Sequence, residues 1–388
     1  MIALTYKFRL HKHKKNQHLN QQIDIAGVIW NHCIALHKRY YRLTGRFLNK
    51  YALMKHVVKL KKLEKHAFWR QVGSQAIQDI VERIDKSYQR FFKWVKTRQG
   101  LRCSPPRFKR VKMYKSFTLK QAGWKLPGGN RIRIQGRVYR FIKSREIDGC
   151  IKTVTVKRDA VGDLWLCFSV RLERTIPEVT PSHAAGFDFG LKTFLTVSDG
   201  MKIESPQFLR QNLKDLAAAQ RSLSGKVRGS RNWREAKRKV ARIQRRIADS
   251  RRDWFFKLAH KLTEAYDVLI FETLNIRAMQ RLWGRKVSDL AFAEFIKITE
   301  WVAYRKGKTV QFIDRWFPSS KLCSGCGCIN DDLRLEDRTW RCKCGQLNDR
   351  DGNAAKNIER AGIAALNLEG LRPASVGSPC LKLESHAL

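Results

Sequence analysis

Read for the spacing of its apolar residues, the chain changes period several times. Residues 4–10 (LTYKFRL) alternate apolar and polar, the pattern of a half-buried strand. From about residue 19 to residue 98 the period lengthens to that of helices: Ile23, Ala26, Trp30, Cys33 and Leu36 share one face, and Ala76, Ile77, Ile80, Ile84, Tyr88, Phe91 and Trp94 another. Between residues 100 and 176 short alternating runs return (SFTL, RIRIQG, VYRFIK, IKTVTVKRD, DLWLCFSVRLE). Punctuated by Gly and Pro, they predict antiparallel strands of a small barrel or open sheet. Pro177 and Pro181 then mark a boundary.

A different order follows. AAGFDFGLKTFLTVSDGMKIES predicts three strands with turns at Gly190 and at Asp199-Gly200. Residues 213–262 predict two long helices joined near residues 225–229. The second has an apolar seam at Trp233, Ala236, Val240, Ile243, Ile247 and Trp254, and its other faces are almost all Arg and Lys. Next come an apolar strand ending in Glu272 (YDVLIFETLNI), a helix (SDLAFAEFIKITEWVAYRKG), a strand (KTVQFIDRW) and a last Ala/Ile-rich helix. This β-β-β-α-β-α-β order, closed by a helix, predicts an α/β layer with a mixed sheet. The tail, residues 367–388, carries Pro, Gly and Ser without periodicity and is predicted to be disordered.

Charge narrows the partners. The 388 residues hold 79 Lys+Arg against 34 Asp+Glu, a net charge of +45, spread through segments that read as folded. That excess predicts a polyanion held by phosphate contacts rather than mere solubility. No apolar run approaches the ~18 residues of a membrane span, and the start (MIALTYKFRLHKHKK) lacks a signal-peptide core. Cys33, Cys103, Cys150 and Cys167 are isolated from one another, so reduced thiols and a cytoplasmic or nucleoid location are expected. Tyr51 stands among lysines, where it can stack on a base or simply belong to the core.

Two constellations carry chemistry. Cys323/Cys326 and Cys342/Cys344 put a thiolate pair on each of two tight turns, as tetrahedral Zn²⁺ requires, and a closed four-sulfur site is structural. The second pair is Cys-x-Cys rather than Cys-x-x-Cys, and Cys328 is a further thiol nearby that can substitute. The other constellation is acidic. On the last helix Asp351, Ala355, Ile358 and Gly362 share one buried face, so a carboxylate enters the protein with it. Asp188 is expected in mid-strand and Glu272 at a strand end. Three carboxylates within reach of one another repel unless cations join them, and two Mg²⁺ ions ~3.5–4 Å apart do so. Asp349, a rival third ligand, is expected to cap the helix instead.

GFDFGL, LIFETLNI, SSKLCSGCG, RTWRCKCG and DRDGNAAKNI, in that order, resemble the transposon-encoded TnpB nucleases, relatives of the type V CRISPR effectors. The likeness extends to the N-terminal strand, the SQAIQ segment and the PRFK stretch. It implies an α+β multidomain protein. Residues 1–15 and 100–180 would form a wedge-like β-barrel domain, interrupted by a helical recognition domain at 16–99. Residues 181–317 and 346–366 would form a RuvC-like domain of RNase H fold, with a zinc ribbon inserted at 318–345. It also implies Asp188, Glu272 and Asp351 as catalytic Mg²⁺ ligands, and Tyr51, Ser74, Gln75, Gln78 and Thr118 as readers of a short DNA motif flanking the target. The expected activity is RNA-guided DNA cleavage by a protein monomer holding a guide RNA. A guide-independent nuclease or transposase leaves the helical and wedge regions without a purpose, and a non-cutting repressor would need a broken triad.

Overall fold

The alternation that opens the chain becomes β1 (Ile2–Arg9), and the helical periods become α1 (Asn16–Thr44), α2 (Lys50–Leu60), a 3₁₀ segment (Glu64–Val72) and α3 (Ser74–Thr97). The computed structural model describes residues 2–173, 175–334, 336–366 and 372–373. It divides into two units, Met1–Thr175 and Ile176–Leu388. The rest of the first unit is β-structure: β2 (Ser116–Leu119), β3 (Trp124–Lys125), β4 (Arg131–Ile134), β5 (Arg137–Arg140), β6 (Cys150–Arg158) and β7 (Leu164–Leu172). One apolar core serves helices and strands together, with Phe8, Ile23, Trp69, Ile80, Phe117 and Phe168 all buried in it.

The expected barrel does not close. Among the described residues, four antiparallel strands form an open sheet in the order β1-β7-β6-β2, and β3-β4-β5 form a separate three-stranded sheet. A bridge between Leu10 and Phe141 is the link from β1 toward β5. Four strands are too few to curl shut around side chains, which takes about eight. Helices cover the sheet instead: α3 reaches the β2 edge through Arg83, which donates to Ser116 O at 3.2 Å and to Thr118 Oγ1 at 2.6 Å.

His37 lies in this core against Phe47 and Tyr88, with ring centres 5.1 and 4.9 Å away, and burial pushes its pKa down to about 4. An unfolded histidine titrates near ~6.5, so between those values the unfolded chain binds the extra proton and stability falls as pH falls. His32 and His56, with Nε2 atoms 3.3 Å apart, are lowered by burial and then by neighbouring charges, and act in the same direction. The urea midpoint is therefore expected to drop between pH 7 and pH 4.5, and to drop less in His37→Leu.

The second unit begins with β8 (His183–Asp188), β9 (Thr193–Val197) and β10 (Lys202–Glu204), followed by α4 (Phe208–Gln211), α5 (Leu213–Ser224) and α6 (Arg231–Ala265). Then come β11 (Val268–Glu272), α7 (Ile276–Trp283), α8 (Arg285–Leu290), α9 (Phe292–Lys306) and β12 (Thr309–Ile313). The hairpin β13 (Thr339–Arg341) and β14 (Leu347–Asp349) precedes α10 (Arg350–Leu366). The sheet order is β10-β9-β8-β11-β12, with β8, β11 and β12 parallel and β9 and β10 antiparallel. A short β15 (Arg372–Pro373), inside the segment expected to be disordered, pairs in parallel with the start of β8; the remainder of that tail lies outside the described residues. One continuous helix was expected across residues 288–307, but the chain breaks at Ala291, whose φ of 46° is left-handed.

Strand alternation splits this sheet into two faces. Phe187 and Phe271 join Phe194, Phe255, Phe292 and Phe295 under α6 and α9, whereas Ala184, Val268 and Ile270 pack on Ile358 of α10. No helix among the described residues is long and apolar enough to cross a membrane.

Candidate metal centres

The period-two rule that sends Phe187 and Phe271 toward α6 and α9 sends Gly186, Asp188, Ile270 and Glu272 toward α10. Phe187 and Phe271 are paired across β8 and β11, so Asp188 and Glu272 follow as neighbours at the C-terminal ends of two parallel strands. Asp188 is thus the last residue of its strand rather than a mid-strand residue. Strand ends of this kind in an open α/β sheet are where such folds place their ligands.

α10 reaches this point because two side chains are missing beneath it. A Cβ added to Gly186 would stand 2.2 Å from Ala355 O and 2.5 Å from Glu359 N, and one added to Gly362 would stand 2.3 Å from Ile270 Cγ2. The helix therefore lies directly on β8 and β11, and Asp351, one turn before Ala355, opens it beside the strand ends. Gly186→Ala meets backbone atoms that cannot turn aside. It is expected to cost about 3 kcal/mol in urea unfolding, at the upper end of overpacking penalties.

Burial holds the Asp188 carboxyl well above the usual carboxylate range, and the charges of Asp351 and Glu272 raise it further against a smaller opposing pull from Arg350. Glu272 is also raised by burial, partly offset by the Ser319 hydroxyl, which donates to its Oε2 at 3.5 Å. Arg338 pairs with Asp351 at 3.5 Å, and Lys202 with Asp349 at 3.1 Å. Asp349 accepts the Gly352 amide at 3.1 Å and so caps α10, as its position in the sequence led one to expect.

The cysteines converge more tightly. Cys323, Cys326, Cys342 and Cys344 have sulfur atoms all within 4.8 Å of one another, the only such ligand group among the described residues. Sγ–Sγ distances of 3.8 Å (Cys323–Cys344) and 3.5 Å (Cys326–Cys342) match the ~3.8 Å edge of a tetrahedron with ~2.3 Å zinc–sulfur bonds. Burial works against the Cys323 thiolate, but the amides of Cys326 and Gly325 and the Asn348 side chain at 3.6 Å outweigh it and bring its pKa down to about 6. The Cys-x-Cys turn closes the set through Cys344, and Cys328 instead offers its carbonyl to the Cys323 amide at 2.9 Å.

Sequence reasoning missed what ties the two centres together. Asn353 and Asn357, one turn apart on α10 and both buried, donate to Leu322 O at 2.6 Å each. Asn353 Oδ1 also accepts the Ser324 amide at 2.8 Å, and Arg360 donates to Ser324 O. Two asparagines at i, i+4 on an otherwise apolar face were the available signal.

The remaining candidates lie in the first unit. Tyr51 is 66% exposed on the first turn of α2 with Lys50 over its ring, and Ser74, Gln75 and Gln78 occupy the first turns of α3. Thr118 is buried, its hydroxyl engaged by Arg83 and by Thr155 Oγ1 at 2.8 Å. A cleft of about 280 Å³ lined by Arg83, Lys109, Met113, Tyr114, Lys115 and Ser116 is close by in the chain.

Comparison with known proteins gives this geometry a lineage. Residues 167–282 match a family model described as probable transposase (OrfB_IS605), and residues 292–358 match the Cas12f1-like TNB domain. The chain is 35% identical over 322 residues to a Streptomyces pristinaespiralis protein named "Putative RNA-guided DNA endonuclease", covering 81% of this chain and 78% of that one. It is 26% identical over 359 residues to InsQ of Escherichia coli K12, which bears the same description, with 87% of each chain covered. A TnpB-like protein of Acanthamoeba polyphaga mimivirus, L79, is 25% identical over 236 residues, 55% of this chain and 44% of that one. Among solved structures, that of a Cas12f1–sgRNA–target DNA complex superposes with a TM-score of 0.56 at 15% identity, over 89% of this chain and 83% of that chain, a likeness of fold. The chain belongs to the TnpB family.

Proposed function

We propose that this protein is an RNA-guided DNA endonuclease of a transposable element. Residues 181–317 and 346–366 act as a RuvC-like nuclease domain of RNase H fold, and 318–345 as a zinc ribbon. Residues 1–15 and 100–180 act as the wedge and 16–99 as the recognition region. The observation that carries this reading is the placement of Asp188 and Glu272 on adjacent strand ends, facing the helix that begins with Asp351.

The donor sets fit the metals. Four sulfurs at tetrahedral spacing suit one structural Zn²⁺. Three carboxylates, which offer only oxygen donors and raise one another's charge burden, suit Mg²⁺, and a pair of ions would balance them. When bound there, Mg²⁺ supplies Lewis acidity and a readily deprotonated water. The chain's own groups arrange the rest. The Ser319 hydroxyl orients Glu272, Arg338 and Lys202 neutralise the flanking aspartates, and the Arg- and Lys-covered α6 offers a track for a phosphate backbone. Sequence is read by pairing with a guide RNA from the element's end. Tyr51, Ser74, Gln75, Gln78 and Thr118 read a short flanking motif, Thr118 through the Arg83 guanidinium that donates to its hydroxyl. The protein works as a monomer in a ribonucleoprotein, in the cytoplasm on nucleoid DNA.

The test is to express the chain with its flanking locus, sequence the RNA that co-purifies, and assay cleavage of a target plasmid with and without EDTA. A defined RNA and guide-dependent, EDTA-sensitive cutting are expected. RNA-free protein that cuts equally well would point to a guide-independent nuclease, and guided binding without cutting to a repressor.

A further inference from the structure

β12 ends at Ile313, opposite Glu272, and the chain then turns through residues 314–317 before Ser319 touches Glu272. That turn is held at both ends. Asp314 Oδ1 accepts the Trp316 amide at 2.7 Å, Asp314 O accepts the Phe317 amide at 3.2 Å, and Phe317 packs on the apolar cluster beneath α10. Yet Trp316 between them is 82% exposed, with the Arg315 guanidinium 5.8 Å from its ring centre. A bulky indole fixed in water, three residues from a contact to a metal-site carboxylate, gains nothing from folding.

We propose that Trp316 is a stacking platform for an unpaired nucleobase of the DNA strand lying at the carboxylate site, a proposal that rests on the nuclease reading above. An indole face beside a guanidinium matches a base with its phosphate, and every base has a π-face, so such a contact tolerates any sequence. That suits a protein whose sequence reading is left to base pairing. The occupant is single-stranded, because a duplex keeps its bases stacked on one another. A protein partner fits less well, because the neighbours Asp314 and Arg315 are exposed and charged.

The test uses the full-length ribonucleoprotein and a single-stranded oligonucleotide unrelated to its RNA, carrying 2-aminopurine and titrated in EDTA. Wild type is expected to bind and to quench the fluorophore by stacking. Trp316→Ala should weaken binding about 5- to 150-fold with loss of quenching, Trp316→Tyr should restore most of both, and thermal melting should not change. Trp316→Ala that binds and quenches as wild type does overturns the proposal, as does wild type that fails to bind. Cleavage of the guide-matched target plasmid on adding Mg²⁺ is scored separately. Trp316-dependent quenching without any cleavage keeps the platform and sinks the nuclease reading.

Discussion

On the proposed reading, Asp188→Asn is expected to cut DNA cleavage by on the order of 10³-fold, or about 4 kcal/mol of barrier, while guide RNA and target DNA stay bound. Glu272→Gln and Asp351→Asn should behave alike, because each would remove one of the charged oxygens proposed to hold the reaction's cations. The same substitution has the opposite effect on stability. Asp188 is a half-buried carboxyl, desolvated by its surroundings and pressed further by the charges of Asp351 and Glu272. An amide of the same shape removes that burden, so the Asn variant is expected to melt higher than wild type in EDTA. About 1 kcal/mol corresponds to ~2–4 °C in a unit of this size. Excess Mg²⁺ should narrow or reverse the gap, since only wild type gains from binding it. An Asn variant that cuts at the wild-type rate, or that melts lower than wild type in EDTA, removes the basis for the site.

The second large effect concerns the cysteines. Purified protein is expected to carry one zinc per chain, and Cys323→Ser or Cys342→Ser should lose it, forfeiting a binding free energy on the order of 10 kcal/mol. Cleavage should then fall roughly 10²-fold although no cysteine approaches DNA chemistry. The route is structural: Leu322 and Ser324, on either side of Cys323, hold Asn353 and Asn357 on α10, which carries Asp351 in its first turn. Hydrogen exchange at the amides of residues 352–358 reads that route directly and should accelerate in the zinc-free variants. Cys344→Ser should match the other two, and Cys328→Ser should keep its zinc. The reverse pattern would assign the fourth ligand to Cys328.

Much of this site was legible beforehand because its logic is periodic. Alternation along β8 and β11 gives Asp188 and Glu272 one face, and the spacing from Asp351 to Gly362 gives α10 its buried stripe. Two periodicities that meet at a sheet surface can be read one residue at a time. What escaped has no period. The open sheet of the first unit is set by which strands pair over long stretches of chain, which spacing along strands does not reveal. The break at Ala291 is a single backbone torsion in a run of good helix formers. The Cys-x-Cys turn closes on Cys344 because of three-dimensional sulfur distances, and the ties from Asn353 and Asn357 cross 31 and 35 residues of chain.

Those asparagines also bear on how the molecule can be re-engineered. On paper, residues 318–345 look like a removable module, bounded by a strand and a helix. In space their first loop is fastened to that helix, which in turn lies in the trench left by Gly186 and Gly362. Anyone trimming this chain should move the cysteine loop, the helix and both glycines as one cassette.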